Sequence, residues 1–472
     1  MATGRQHAIV LGGSMAGLGA ARALTNHFDH VTLVERDELP VATASRKGVP
    51  QGQHAHGLLP SGYRILSDYF PGMMDALVAD GALSGDLTGD FLWYQYGGWK
   101  LRADCGLKGI VVSRPHLERA VRERVLALPG LTLLQGHDGE EPVFDKATRR
   151  VTGLRVHNRT TGAIATLEAD LVVDALGRGS PSPKWLAGWG YGEVAETQVP
   201  IEVGYATAVY ERRPGDLYGS IGAVIAGTAP QATRFAALLG AEGNRWIVTL
   251  AGCLRDYPPT DLAGWTEFAA SLPTRDVADL VRDREPLGPI ASYRFPANRH
   301  CHYEKLAAFP EGYLVIGDAV CSFNPIYGQG MSVALSEARA LDDCLAKGDD
   351  DLARRFFAKV TGIVASPWAI ATGEDYRYPQ VEGRRPPGFG LVSRYMERAH
   401  RAATRDPVVL RRFFEVASLL APPPAMMAPA IAWRVLVGGG RIGPTSPARK
   451  VAPGAKRQAT PAGGHVEGQP QT

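Results

Sequence analysis

Cysteine is scarce in this 472-residue chain. The five present (Cys105, Cys253, Cys301, Cys321 and Cys344) are odd in number, widely spaced and form no C-x-x-C. A disulfide framework is therefore not expected, and reduced thiols in a cytoplasmic protein are. An excess of charge of one sign is lacking too: 51 Lys and Arg against 48 Asp and Glu leave +3. The basic residues are scattered among acidic ones with no aromatic-interleaved stripe, which argues against a nucleic-acid partner. No run of about twenty apolar residues escapes prolines and charges, so no spanning helix is expected. Residues 416–433 carry no charge, but Pro422, Pro423, Pro424 and Pro429 interrupt them. A core-packed helical cap is expected there in preference to a patch on a membrane surface. The opening MATGRQH passes straight into a strand, so no secretory leader is expected. There is no G-x-S-x-G element, no nucleophilic Cys/His pairing and no internal repeat. Around His54 and His56 no further ligands sit at metal-binding spacing, so no metal is expected. The remaining composition, 45% hydrophobic and 21% charged, is that of an ordinary globular protein large enough for two or three packed parts.

The strongest positive signal is residues 7–37, HAIVLGGSMAGLGAARALTNHFDHVTLVERD. An apolar run of strand length (8–11) is followed at once by Gly12, Gly13, Ser14, Met15, Ala16 and Gly17. Leu18, Ala21, Ala23 and Leu24 then recur at helical spacing, and a second strand (31–34) ends on Glu35, with Arg36 next. This order suits a dinucleotide's pyrophosphate, because a helix N-terminus offers unpaired N–H groups and a positive dipole end. Gly12 makes the tight turn, Gly17 lets helix and strand pack closely, and Glu35 accepts from the adenosine ribose hydroxyls. Ser14 takes the place of the second glycine and is still small where backbone meets phosphate.

Next comes a donor-rich loop, RKGVPQGQHAH (46–56). Arg46 and Lys47 are near enough in sequence to reach the adenosine phosphate side. Its histidines, His54 and His56, belong either to a site or to a solvated loop. Residues 63–69 and 73–78 read as helices, and 91–102 as strands around Gly97 and Gly98. Arg114 precedes Pro115 at the first turn of a helix (117–128), a position suited to an anionic ligand or to a surface cap. Strands at 131–134, 151–156 and 164–168 are expected to form a meander leading into 170–174. Asp174, Ala175, Leu176 and Gly177 then make a second strand-to-loop junction where backbone can meet a cofactor. From 188 to 294 strands (202–210, 222–225, 246–251) and helical runs (264–270, 276–281) suggest an inserted sheet domain. The second strong signal is GYLVIGDAVCSFNPIYGQGM (312–331). A strand there leads to Asp318, and a loop with Pro325, Gly328 and Gly330 delivers a helix (332–345) whose first N–H groups, around Met331, suit a partially anionic ring oxygen. Residues 350–433 read as largely helical and 438–472 as a disordered tail.

Taken in order, residues 12–17, Glu35, 174–180 and 317–331 resemble the FAD-dependent monooxygenases of the aromatic hydroxylase superfamily. The resemblance covers residues 1 to about 345. RKGVPQGQHAH, LVVDALGRGSPS and GDAVCSFNPIYGQGMS are most similar to a bacterial branch containing polyether-pathway epoxidases, with squalene epoxidases as more distant relatives. The resemblance implies an α/β fold: a Rossmann-like FAD-binding domain of the glutathione-reductase type, an inserted β-sheet substrate domain and a C-terminal helical region. On that reading 1–187 and 295–347 form the FAD-binding domain, 188–294 the mixed-sheet insert, 348–437 the helical region and 438–472 the tail. It implies that Gly12, Gly13, Ser14, Ala16 and Gly17, with Glu35 and Arg36, hold the ADP half of FAD. Arg46 and Arg114 lie along the phosphates and ribityl chain, Asp318 holds the ribityl, Gly328, Gly330 and Met331 face the pyrimidine edge, and Pro325 also belongs to the cofactor site. Asp174 and Gly177 match an Asp-Gly element associated with FAD and reduced nicotinamide, with Ala175 where the usual glycine stands. Cys321 replaces a histidine common in aromatic hydroxylases, a departure from phenol-type substrates.

The implied reaction takes one oxygen atom from O2, through a flavin C4a-hydroperoxide, to an apolar polyketide, terpenoid or aromatic substrate, by epoxidation or hydroxylation. No protein nucleophile is needed, and the electrons come from NADPH or NADH, directly or through a partner flavin reductase. Such chemistry needs a dry pocket. It is expected between flavin and inserted sheet, lined by Phe91, Trp93, Tyr205 and Trp246. Three other readings stand beside it: a reductase or dehydrogenase acting on an isoprenoid-like chain, a flavin-dependent halogenase, and a non-enzymatic flavin-binding redox sensor. The halogenases' W-x-W-x-I-P element is not reproduced by WYQYGGW at 93–99.

Overall fold

The computed structural model describes residues 5–40, 43, 45–46, 48–441, 443–444, 446–447 and 450. Lys47 and residues 451–472 of the expected tail lie outside the described residues. A parallel sheet forms the centre, in the order Tyr313–Val315, Leu171–Asp174, His7–Leu11, His30–Glu35 and Leu131–Gln135. Its inner strands read as continuous apolar runs because both faces are covered, one by helices and the other by a small antiparallel sheet. Met15–Leu24 packs so tightly on Gly330–Leu345 that a Cβ at Gly19 would sit 3.1 Å from that of Ala338. Helix Arg114–Leu126 starts on Ser113, whose side chain accepts from His116 N–H, with Pro115 in its first turn as expected.

The expected meander is corrected. Leu131–Gln135 pairs in parallel with His30–Glu35 and closes the edge of the central sheet. The three-stranded antiparallel sheet consists of His137–Asp145, Arg150–Asn158 and Ile164–Glu168. Its first strand, HDGEEPVFD, lacks the apolar alternation that marks a half-buried strand, and two register shifts interrupt its pairing.

The larger sheet has eight strands, in the order Cys321–Ser322, Ala291–Cys301, Glu196–Glu211, Arg245–Gly252, Arg234–Ala241, Gly222–Ala226, Phe91–Gln95 and Gly98–Trp99. Its strands come from before, within and after residues 188–294. One face buries Ala206, Tyr210, Trp246 and Leu250 against Trp265 and Phe268 of helix Leu262–Ala270. The opposite face looks onto the cavity described below, because successive strand residues alternate sides. The C-terminal part consists of helices Leu352–Asp375, Phe389–Ala402, Pro407–Ala417 and Pro429–Gly438. Within 416–433, Val416, Met426 and Ile431 are buried in one cluster with Leu107 and Phe414, while Met427 and Trp433 stand exposed. Among the described residues no helix is long and apolar enough to cross a membrane.

Candidate functional site

The carboxyl ends of the central strands open into a cavity of about 1280 Å³ that continues under the large sheet, the position at which open α/β sheets take ligands. Gly12 sits at φ +98°, and a Cβ there would lie 2.8 Å from the Ala175 carbonyl oxygen. At Gly17 a Cβ would fall 1.7 Å from the Gly12 oxygen. Both positions therefore require glycine. Glu35 is buried; its carboxylate accepts from Gly13 N–H at 2.8 Å and Asp37 N–H at 2.9 Å, and lies 3.1 Å from the Arg46 guanidinium.

Glu118, four residues along the helix from Arg114, ties the two arginines together. It lies 3.1 Å from Arg46 Nε and 3.2 Å from Arg114 Nη2, which also donates to Ser14 Oγ at 3.0 Å. Burial opposes the charge on Arg46, but Glu118 and Glu35 outweigh it and raise the pKa above its ordinary value. Arg46 Nη2 is buried with no partner among the described residues, a donor available to an anionic ligand.

At the second junction Asp174 is fully buried and faces away from the cavity. It accepts from Leu176 N–H at 2.8 Å and from the Ser180 and Ser182 hydroxyls, and so shapes the turn that carries Gly177 and Arg178 to the cavity wall. At the third, Gly317 has φ +72°, a Cβ there would meet the Ala16 Cβ at 2.7 Å, and its N–H donates to Glu337 at 2.6 Å. That contact locks the first and third motifs together. Asp318 opens onto the cavity; its deep setting raises its pKa, opposed by Arg114 and Arg178. Beyond it, Pro325 lines the cavity, and Gly328 (φ +63°) stands against Gly57, with 3.8 Å from a notional Cβ to the Gly57 Cα. Gly330 and Met331 then begin the 16-residue helix, pointing its N-terminus at the cavity.

One cavity thus gathers Gly12, Gly13, Ser14, Ala16, Glu35 and Arg36 with Arg46, Arg114 and Gly177, and with Asp318, Pro325, Gly328, Gly330 and Met331. Gly17 acts behind the wall, and Asp174 beneath it. Sequence reasoning missed Glu118, Glu337 and Asp375. The first was findable from its i+4 spacing to Arg114. Asp375, at the end of helix Leu352–Asp375, accepts from Asn298 at 2.7 Å, Asn324 at 3.0 Å and Tyr327 at 3.2 Å. Burial pushes its pKa up to about 7.

Past this loop the cavity turns apolar, with Phe91, Trp93, Tyr205, Phe235 and Met396 among its walls. Trp246 is a correction: it is fully buried on the far face of the large sheet, its Nε1–H donating to Asp216 at 2.8 Å. Thr249 of the same strand faces the cavity, and the period of two puts Trp246 on the other side. The 46–56 loop is no solvated surface at its histidines. His54 Nδ1 lies 2.7 Å from Thr207 Oγ1, itself 2.7 Å from Thr249 Oγ1, which accepts from Ala55 N–H at 2.9 Å. Burial lowers the pKa of His54 to about 4, and burial with nearby Arg114 lowers that of His56 to about 3. Away from the cavity, His300, His302 and Glu304 bring ligand atoms within 4.8 Å of one another. His302 already engages Glu304 and Thr197 with its two nitrogens.

These features define a Rossmann-like FAD-binding fold of the glutathione-reductase type, with an inserted sheet and a helical C-terminal region. Solved structures share it. The flavoprotein/dehydrogenase from Cytophaga hutchinsonii aligns with a TM-score of 0.64 at 13% identity, over 92% of this chain and 99% of that one. PqsL, a probable FAD-dependent monooxygenase from Pseudomonas aeruginosa, aligns with a TM-score of 0.59 at 18% identity, over 79% of this chain and 98% of that one. The sequence matches no family model. Protein Rv3254 of Mycobacterium tuberculosis is 34% identical over 435 residues, covering 88% of this chain and 90% of that protein, and this chain belongs to its family.

Proposed function

We propose that this protein is an FAD-dependent monooxygenase that places one oxygen atom from O2 on an apolar polyketide, terpenoid or aromatic substrate, by epoxidation or hydroxylation. The observation that carries the reading is the continuity of the cavity, from a glycine cradle with cationic donors to a chamber walled by aromatic and aliphatic side chains. The residues present fit FAD. A Cβ would fill the cradle at Gly12, Arg46 Nη2 is a buried donor with no partner among the described residues, and Glu35 and Asp318 offer acceptors at two separated points.

When bound, FAD supplies the electron transfer to O2 and the oxygen-transfer chemistry. The chain's own tasks follow from position. Gly12, Gly13, Ser14 and Ala16 let the pyrophosphate approach the N-terminus of helix Met15–Leu24, and Arg46 and Arg114 balance its charge. Glu35 accepts from ribose hydroxyls with Arg36 alongside, and Asp318 accepts from the ribityl chain. Gly177 and Pro325 leave room at the wall, while the N–H groups of Gly328, Gly330 and Met331 favour negative charge at the ring's pyrimidine edge. The apolar chamber excludes water from the reacting face.

Electrons come from NADPH or NADH, directly or through a partner flavin reductase. The division at 187, 294, 347 and 437 is the domain arrangement that goes with this reading. The resemblance to the Cytophaga hutchinsonii flavoprotein/dehydrogenase favours one second reading, a dehydrogenase using the same chamber without oxygen transfer. Turnover under labelled O2 separates the two. Label in the product supports the monooxygenase, and equal turnover without O2 overturns it.

A further inference from the structure

We infer that His54 presents its Nε2–H as a fixed hydrogen-bond donor to an oxygen acceptor bound in the cavity, beside the rings of Tyr205 and Tyr293. The inference rests on the proposed function in one respect: the acceptor belongs either to the FAD ring or to the substrate lying on it.

The tautomer follows from counting protons along a buried chain. Ala55 N–H can only donate, and it occupies one lone pair of Thr249 Oγ1. The Thr249 hydroxyl proton then finds its acceptor in Thr207 Oγ1, and Thr207 passes its own proton towards His54 Nδ1. Nδ1 is therefore the acceptor, and the proton of the neutral ring sits on Nε2. The reverse direction would leave the Thr249 hydroxyl proton with no acceptor among the described residues. Thr249 is only 3% exposed, and folded proteins avoid buried unpaired donors.

Nε2 itself has no protein partner among the described residues, and the ring, 5% exposed, forms part of the cavity wall. The rings of Tyr205 and Tyr293, with centroids 5.9 and 6.0 Å away, hold it in place. The Tyr205 hydroxyl, on the same wall, is buried with no partner among the described residues. Two polar groups on one stretch of cavity wall without a protein partner among the described residues call for a ligand with an oxygen there: a carbonyl, a hydroxyl or a ring oxygen.

The test is nitrogen NMR of the histidine-labelled full chain at neutral pH, with the His54 signals assigned by their loss in His54→Gln. The expected result is a neutral ring protonated on Nε2, and a shift of population towards the Nδ1-protonated form in Thr207→Val. An Nδ1–H tautomer in the unaltered protein, or an unchanged tautomer in Thr207→Val, overturns the assignment. FAD alone, then 9-fluorenone and its carbonyl-free analogue fluorene, are added next. A shift of Nε2 with FAD identifies a cofactor oxygen, and a shift with fluorenone but not fluorene identifies a substrate oxygen. No shift with either overturns the acceptor. For whichever probe shifts the signal, His54→Phe should weaken binding about fivefold, and His54→Gln, which restores an N–H near that point, should stay within about twofold. A chain that binds no FAD but keeps the Nε2–H tautomer refutes the proposed function and leaves the His54 assignment standing.

Discussion

Glu337 provides a pH test of the scaffold beneath the site. It is fully buried in helix Gly330–Leu345; one carboxyl oxygen accepts from Gly317 N–H at 2.6 Å and the other has no partner among the described residues. Burial raises its pKa from 4.5 to about 8, the hydrogen bond from Gly317 lowers it, and the nearby Asp318 charge raises it further. The folded chain therefore holds a proton that the unfolded chain releases between about pH 4.5 and 8. Stability from this group is fully present below pH 4.5 and is lost as pH rises through 8. At about 1.4 kcal/mol per unit, the full shift is worth about 5 kcal/mol, of which about 4 is already lost at pH 8, where the folded group is half ionised. Glu337→Gln keeps an acceptor for Gly317 and removes the titration. Relative to the unaltered protein, its melting temperature should match at pH 5 and gain about 4 °C by pH 8, since 1 kcal/mol moves a chain of this size by roughly 1 °C. Parallel melting curves across that range would refute the argument.

Gly12→Asp places a charge and a Cβ where the turn has no room, and Asp318→Ala removes the acceptor beside the helix N-terminus. Each should bind FAD at least about tenfold more weakly by flavin absorbance. Arg46→Ala leaves Glu35 and Asp37 without their guanidinium partner and Glu118 with Arg114 alone, so the melting temperature should fall by about 3–5 °C, matching the cost of breaking a buried ion pair. Trp246→Phe should lower the melting temperature and leave ligand binding in the cavity unchanged. Phe91→Ala should weaken binding of an apolar probe, a contrast that tests which face of the sheet each ring occupies.

The first motif was legible because everything it needs lies within thirty residues: strand, turn, helix, strand and acid follow one another along the chain. The third was legible for the same reason. What escaped depends on pairing between distant segments. Leu131–Gln135 gives no local sign that its partner is His30–Glu35 and not the strands after it. Trp246 and Tyr205 looked alike as aromatic residues in strands. Only the register of Arg245–Gly252 against Glu196–Glu211 places one in the core and the other on the cavity. Glu337 and Asp375 support the site from helices whose sequences carry no motif, so burial and hydrogen bonding revealed them where spacing could not. The histidines of the 46–56 loop were ambiguous until Thr207 and Thr249, some 150 and 190 residues further on, supplied partners for His54 and for the Ala55 N–H.

The central claim is that three segments far apart in sequence close over a single FAD. Flavin content of the purified full-length chain tests it most directly. The account predicts a yellow protein with one FAD per chain, or a colourless one that takes up one FAD when it is offered. A colourless preparation that binds none would contradict it.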